Sequence, residues 1–318
     1  NADLGPELST EIETGFEASA FQGRVSVDFT WYNQVTNDAL LGVQEAPSGG
    51  TEEATLRNLG ETKNWGTELS LNLIPVTTEN FEWSLGLNYS TNDSEVTDLG
   101  PLTGGSTVRT CPDVPTDEWC ETHDGYPLFF RWDDRIANPG VLGELPVKEK
   151  AYLGHLYPTS MIGASTRMTL ARSLTFDVLF ESQRGFVRPI GPAYQNVRRR
   201  QWPMCLPIAD VWYNGDRSTL TSTQVGNCVG PYADWGYWTD DASFIKLRSA
   251  TLSWRLPDGI VPGARTAQIS LQGKNLWTYA PHYRGLDPEA NDRRRSAMFE
   301  YYNAAPPRVF LANIQINF

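Results

Sequence analysis

The sequence predicts an all-β chain: antiparallel strands that form part of a transmembrane β-barrel wall, with short turns at one end and long loops at the other. Three observations carry this expectation. Apolar residues recur at every second position wherever the sequence is regular, which is the period of a strand with two unlike faces. The regular segments run to about 9–11 residues, the length of a tilted strand crossing a bilayer, against about 5–6 in soluble sheets. The connections between them alternate strictly short and long, the asymmetry of transmembrane barrels.

Nine strands follow in order. Ile12, Phe16, Ala18 and Ala20 share one face of the first, opposite Glu11, Glu13, Glu17 and Ser19. After a tight turn at Gln22-Gly23, Val25, Val27, Phe29 and Trp31 line the second, opposite Arg24, Ser26, Asp28 and Thr30. Leu69, Leu71 and Leu73 mark the third; Phe81, Trp83, Leu85, Leu87 and Tyr89 the fourth. The fifth and sixth carry Ile162, Ala164, Met168 and Leu170, then Leu174, Phe176, Val178 and Phe180. In the seventh, Ala250, Leu252, Trp254 and Leu256 alternate, but Ile245 and Leu247 are in the opposite phase, so a bulge is expected between them. Ile269 and Leu271 mark the eighth. The ninth sets Phe310, Ala312, Ile314, Ile316 and Phe318 against Asn313, Gln315 and Asn317. The connections at 22–23, 74–80, 171–173 and 257–266 are short, and those near 36–62, 93–156, 187–242 and 278–307 are long.

Composition narrows the class. The chain of 318 residues has 26 basic and 38 acidic side chains, a net charge of −12, and 11 Trp, 13 Tyr and 13 Phe. So many aromatics exclude intrinsic disorder. No run approaches about 18 apolar residues, so a helical membrane protein is excluded. The acidic balance, with scattered basic residues, argues against nucleic acid as a partner. The mean hydropathy of −0.40 is that of a soluble chain, but it averages lipid-facing alternate residues with a polar lumenal face and polar loops.

Four cysteines, Cys111, Cys120, Cys205 and Cys228, fall in two of the long loops. Spacing favours Cys111–Cys120 and Cys205–Cys228 bridges, stapling otherwise floppy segments in an oxidising compartment. Zinc is the competing use, but His123, His155 and His282 are dispersed and no C-x2-C pair exists. The loops also concentrate Trp119, Trp132, Trp202, Trp212, Trp235 and Trp238. Of these, Trp202, Trp212, Trp235 and Trp238 are candidate ligand contacts, because aromatic faces stack on sugar rings or apolar groups; loop packing is the alternative. At strand ends, Trp31, Tyr32 and Tyr89 fit an interfacial aromatic belt.

Other clusters have plainer readings. Arg198-Arg199-Arg200 and Arg293-Arg294-Arg295 have the chemistry to meet an anionic lipid or ligand, but read first as solvated loop charge. Asp133-Asp134 and Asp240-Asp241 lack a spaced calcium loop. His123-Asp124 has no nucleophile elbow beside it, and no phosphate-cradling or dinucleotide glycine loop occurs. The sequence therefore supplies no catalytic, metal-binding or cofactor-binding set.

Several segments resemble the TonB-dependent outer-membrane receptors. Asn1-Ala2-Asp3-Leu4-Gly5-Pro6-Glu7, continuing through Glu13 and Gly15, is similar to the family's NPxLxPExxxxxExG segment, with Ala2 in place of Pro. Asn58-Leu59-Gly60 through Asn64-Trp65-Gly66-Thr67-Glu68 resembles NxGxxxNxGxE. Ser243-Phe244-Ile245-Lys246-Leu247-Arg248 through Leu256-Pro257 looks like the sFlRLrnvtLsYxLP strand. Asn275-Leu276-Trp277-Thr278 with Tyr283-Arg284-Gly285-Leu286-Asp287-Pro288-Glu289 resembles the NLxTxxxYxGxDPE combination of the SusC/RagA-like branch. The closing Phe318 is similar to the signal read by the barrel-assembly machinery.

The resemblance implies that residues 1–318 are the C-terminal portion of a barrel of about 22 strands. The N-terminal plug and first strands would lie outside this chain. Strand parity agrees: with Phe318 on the periplasmic side, nine strands place Asn1 outside, whereas single-chain barrels have an even number. An uncounted strand is the other explanation; the lack of an export signal favours truncation. The implied role is energised import of a large nutrient, glycan or peptide, across a Gram-negative-type outer membrane. Its expected partners are outer-membrane lipid, the plug and N-terminal barrel half, the TonB complex and a SusD-like surface lipoprotein. A non-transporting adhesin or structural barrel is the alternative.

Overall fold

The computed structural model describes residues 4–44, 55–100, 107–109, 122–290 and 300–318. In chain order its strands begin with β1 (Leu8–Ala20) and β2 (Val25–Asn37), then β3 (Leu40–Gln44), β4 (Thr55–Asn58), β5 (Glu61–Thr77) and β6 (Phe81–Asp98). Next come β7 (Thr107–Arg109), β8 (Phe130–Ile136), β9 (Lys148–His155), β10 (Ser160–Leu170), β11 (Leu174–Arg184) and β12 (Val187–Pro189). Three helices follow, α1 (Gly191–Arg198), α2 (Leu206–Asn214) and α3 (Ser222–Cys228). The chain ends with β13 (Thr239–Asp241), β14 (Phe244–Arg255), β15 (Thr266–Tyr279) and β16 (Val309–Asn317).

Nine of these make one sheet, in the order β1-β2-β5-β6-β10-β11-β14-β15-β16, and they are the nine strands that the period-two pattern predicts. Every pair is antiparallel. The register aligns like with like. Ala18, Val27, Leu71, Leu87, Ala164, Phe180 and Leu247 lie opposite one another in turn. One residue away, Glu17, Asp28, Ser70, Asn88, Gly163, Glu181 and Lys246 form a polar row on the other face. A slip of one residue in any pair would exchange the two faces.

Two bulges refine the sequence reading. Against β11 a register shift leaves Arg248 as the extra residue, at the predicted change of phase. Against β15 the shift at the same level sets Asn275 and Leu276 opposite Arg248, so there the additional residue is on β15. A second shift, between Leu73 and Val76, absorbs Pro75, which cannot donate to a ladder. β5 therefore continues to Thr77, and the turn expected at 74–80 shrinks to 78–80. The turn after β10 has Ala171 and Arg172 at φ 50° and 55°, the left-handed backbone that matches strand twist in tight hairpins.

The described parts of the long connections carry structure of their own. β3, β4 and β7 form a three-stranded sheet over a cluster of Ala39, Leu41, Val43, Val96, Leu99 and Val108. β8 pairs with β9, and β12 with β13. Helices α1 to α3 occupy the third connection, where the sequence reading expected loop. Their core joins Phe186, Ile190, Val197, Trp238, Phe244 and Tyr283. Nearly all described buried apolar residues lie in these connections or at adjoining strand ends; Ala267 is the exception in the wall. Among the described residues, no helix is long and apolar enough to cross a membrane.

Cys205 and Cys228 form a disulfide with Cα atoms 4.9 Å apart, bridging 23 residues from the start of α2 to the end of α3. Closing a loop of this size stabilises by about 3 kcal/mol in the chain-entropy picture. The double variant Cys205→Ala/Cys228→Ala should speed amide exchange through 205–228 by about a hundredfold and leave the protection of β5 and β6 unchanged. Exchange read by mass spectrometry checks both halves of that expectation.

Candidate functional site

The bulge in β14 has a chemical consequence. Lys246 belongs to the polar face, and Arg248, itself the extra residue against β11, reaches the same carboxylate. Lys246 Nζ donates to Asp287 Oδ1 and Oδ2 at 2.6 and 2.8 Å and to Glu289 Oε2 at 2.5 Å. Arg248 grips Glu289 with both terminal nitrogens, at 2.6 and 2.5 Å, and its Nε donates to Glu181 on β11 at 2.7 Å. Two cations thus hold three carboxylates, with Lys246 only 2% exposed. Burial would raise the Glu289 carboxyl, but hydrogen bonds from Arg248 and Lys246 hold it below its usual range.

The rest of the same segment is bound elsewhere. Arg284 pairs with Asp240 at 2.7 Å, and its guanidinium lies 4.4 Å from the Tyr237 ring centre and 5.0 Å from that of Trp238. Tyr283 donates to Glu300 Oε2 at 2.6 Å, and the Leu286 amide donates to the same oxygen at 3.0 Å. Glu300 is fully buried, and its backbone exchanges hydrogen bonds with Pro189 and Gly191. Burial pushes the Glu300 carboxyl and the Tyr283 hydroxyl above their ordinary values. At Gly285 any Cβ would collide with the Glu300 carboxylate and the Tyr283 ring, which accounts for the glycine of that motif. The segment 283–289 is therefore a clasp joining β11, β14 and the helical connection.

The four tryptophans have different surroundings. Trp238 is 1% exposed and its indole donates to the Asn227 carbonyl at 3.1 Å. Trp202, half-buried, packs edge-on against it at 5.7 Å. Trp235 stacks on Tyr194 at 3.7 Å, with the Arg131 guanidinium 5.3 Å from its centre. Trp212 meets Tyr232 at 5.5 Å and carries Arg217 at 4.6 Å. Trp212 and Trp235 are also partly exposed. Beside them, Asp234 is buried and accepts from the Gly236 amide at 2.9 Å; burial raises its pKa to about 6.

The remaining predicted residues scatter. Arg200 lies 3.5 Å from the Tyr213 ring centre and Arg198 sits over Tyr194. Asp133 pairs with Arg131, and Asp134 with Lys148 and Lys150. Among the described residues no group of three potential ligands is poised for a metal. His123 packs 4.6 Å from Trp132, within an aromatic group that includes Tyr126 and Phe130. Phe318 ends the chain, exposed, after β16. Cys111, Cys120, Trp119 and Arg293–Arg295 lie outside the described residues.

Two cavities of about 510 Å³ each lie along the polar face of the sheet. One is lined by Asp28, Glu68, Asn88, Ser90, Met161 and Glu181, and the other by Glu17, Ser26, Asp28, Ser70 and Asn72. This is the size range of ligand pockets, and the lining is rich in carboxylates. A third cavity, of about 390 Å³, sits at the long-loop end and shares Met161 with the first.

Two outcomes test this arrangement. Removing one member of a buried ion cluster leaves the others uncompensated, at about 3–5 kcal/mol. Lys246→Met should therefore release 283–290, seen as proteolytic cleavage there in folded, membrane-embedded protein. Asp234 binds a proton more tightly folded than unfolded, so its contribution is full below about pH 4 and is lost as pH rises toward 6. Exchange protection around 233–238 should fall over that window, and Asp234→Asn should abolish the fall.

The described geometry can be set beside known proteins. The β-barrel model of the family described as TonB dependent receptor-like matches residues 1–276. TonB-dependent receptor P26 of Formosa agariphila is 24% identical over 94% of this chain, which covers 32% of that protein. SusC of Bacteroides thetaiotaomicron is 33% identical over 33% of this chain and 10% of its own length. The RagAB peptide importer in its closed-closed state superposes with a TM-score of 0.79 at 20% identity, over all of this chain and 36% of that one. The chain spans about a third of the length of the first of these relatives. The chain belongs to the TonB-dependent receptor family and forms part of its β-barrel.

Proposed function

We propose that residues 1–318 are the C-terminal part of a barrel that imports a large nutrient, a peptide or glycan, across a Gram-negative outer membrane with energy from TonB. A plug and further strands supplied by the rest of the protein would complete it, pairing with the outer edges of β1 and β16. Neither edge has a partner among the described residues. A SusD-like lipoprotein covering the loop end would follow from the similarity to SusC and RagAB. The proposal rests chiefly on one observation: the described folded connections, one of them closed by the Cys205–Cys228 disulfide, gather at one end of the wall, beside carboxylate-lined cavities. Trp202, Trp212 and Trp235 offer partly exposed ring surface for a ligand there, while Trp238 acts by packing beneath them.

Outer-membrane vesicles and whole cells expressing the complete receptor separate the readings. Labelled peptides and oligosaccharides should accumulate in the periplasm only when TonB is present, with saturable kinetics. Surface binding without accumulation would favour an adhesin.

A further inference from the structure

The cavity of about 390 Å³ at the long-loop end is chemically unlike the polar trough beside it. It forms where β6 rises past the start of β10, and its wall includes Leu128, Phe129, Tyr157 and Met161, with Asp93 and His155 among its polar members. Phe129, Tyr157 and Met161 are 41%, 44% and 42% exposed, so apolar surface is left uncovered there. The two rings meet edge to face at 71°, with centres 5.2 Å apart. They form a corner of the size and apolar character to seat a compact side chain.

Charge completes the picture. Among the described residues, no Lys or Arg lines the cavity. Asp93 Oδ1 accepts from the Ser94 amide at 2.8 Å. His155 Nδ1 is 3.8 Å from that carboxylate, too far for a hydrogen bond. Burial lowers the His155 pKa against the opposing pull of Asp93. A carboxylate beside an apolar corner is complementary to a positive group a few bonds from an apolar one.

We infer that this cavity is a subsite for a primary ammonium attached next to an apolar side chain, as at the N-terminus of a peptide beginning with a residue such as leucine. Asp93 would take the ammonium through a charge-assisted hydrogen bond, and Phe129, Tyr157 and Met161 the side chain. The inference depends on the import proposal only in placing the cavity on a solute's path.

The test is calorimetric binding of Leu-Ala-Ala, its N-acetylated form and maltotriose to the complete receptor purified in detergent. Acetylation should weaken binding about tenfold or more, the scale of one charge-assisted hydrogen bond. Asp93→Asn keeps an acceptor for the Ser94 amide; it should weaken the free peptide by a similar factor and leave the acetylated one unchanged. Asp93→Glu should restore part of the loss, and Tyr157→Ala should weaken both peptides. Equal binding of the two peptides, indifference to Asp93→Asn, tighter binding of maltotriose, or no binding at all would overturn the subsite. Unchanged TonB-dependent uptake alongside any of those results would leave import standing. Peptide binding without energised uptake would overturn import and leave the subsite.

Discussion

In hydrocarbon a strand can satisfy its backbone only through neighbouring strands, and that constraint orders this chain. It makes each wall strand long and continuous, and it confines irregular backbone to the ends. It also explains where Pro75 is tolerated: the bulge near the short-turn end of β5 takes up a residue that could not donate to the ladder. Among the described residues, the outer edges of β1 and β16 have no partner strand. A wall with one lipid face and one polar face has little apolar surface to bury within itself. The packed core therefore moves into the long connections, where Trp238, Val197 and Phe244 do for the loops what a sheet-on-sheet interior does in a soluble protein.

The loops are then fastened to the wall by charge. A buried ion cluster is weak evidence of net stability, because desolvation offsets much of the attraction. Its value here is geometric. Lys246 and Arg248 both reach Glu289, and Arg248 does so from the bulge that β14 makes against β11. Gly285 and Glu300 add a second constraint, since the close approach of the chain at 285 leaves no room for a side chain. Position at the mouth of the barrel is thus set by hydrogen-bond direction more than by apolar area.

Much of this was legible in the sequence and some was not. The nine wall strands were readable because period two is a local property, repeated over enough residues to outweigh noise. The change of phase between Leu247 and Ala250 exposed the bulge for the same reason. The Cys205–Cys228 bridge followed from spacing. The helices did not emerge, because α1, α2 and α3 are too short for a helical period to show among aromatics. Signals were present, with Pro207 in the first turn of α2 and the Thr221–Gln224 capping box opening α3. The Asp-Pro-Glu motif was recognisable as a string, but its partners Lys246 and Arg248 on β14 lie about 40 residues away. Spacing along a chain says nothing of contacts at that range.

By itself, then, the sequence determined the class of fold, the number and faces of the strands and the end at which the loops gather, because alternation and turn chemistry act over a few residues. Tertiary structure alone decided that Trp238 is buried while Trp212 and Trp235 keep exposed surface, and that Asp93 meets the Phe129–Tyr157 corner. Those outcomes depend on which distant segments pack together, and packing is settled by the whole set of contacts at once.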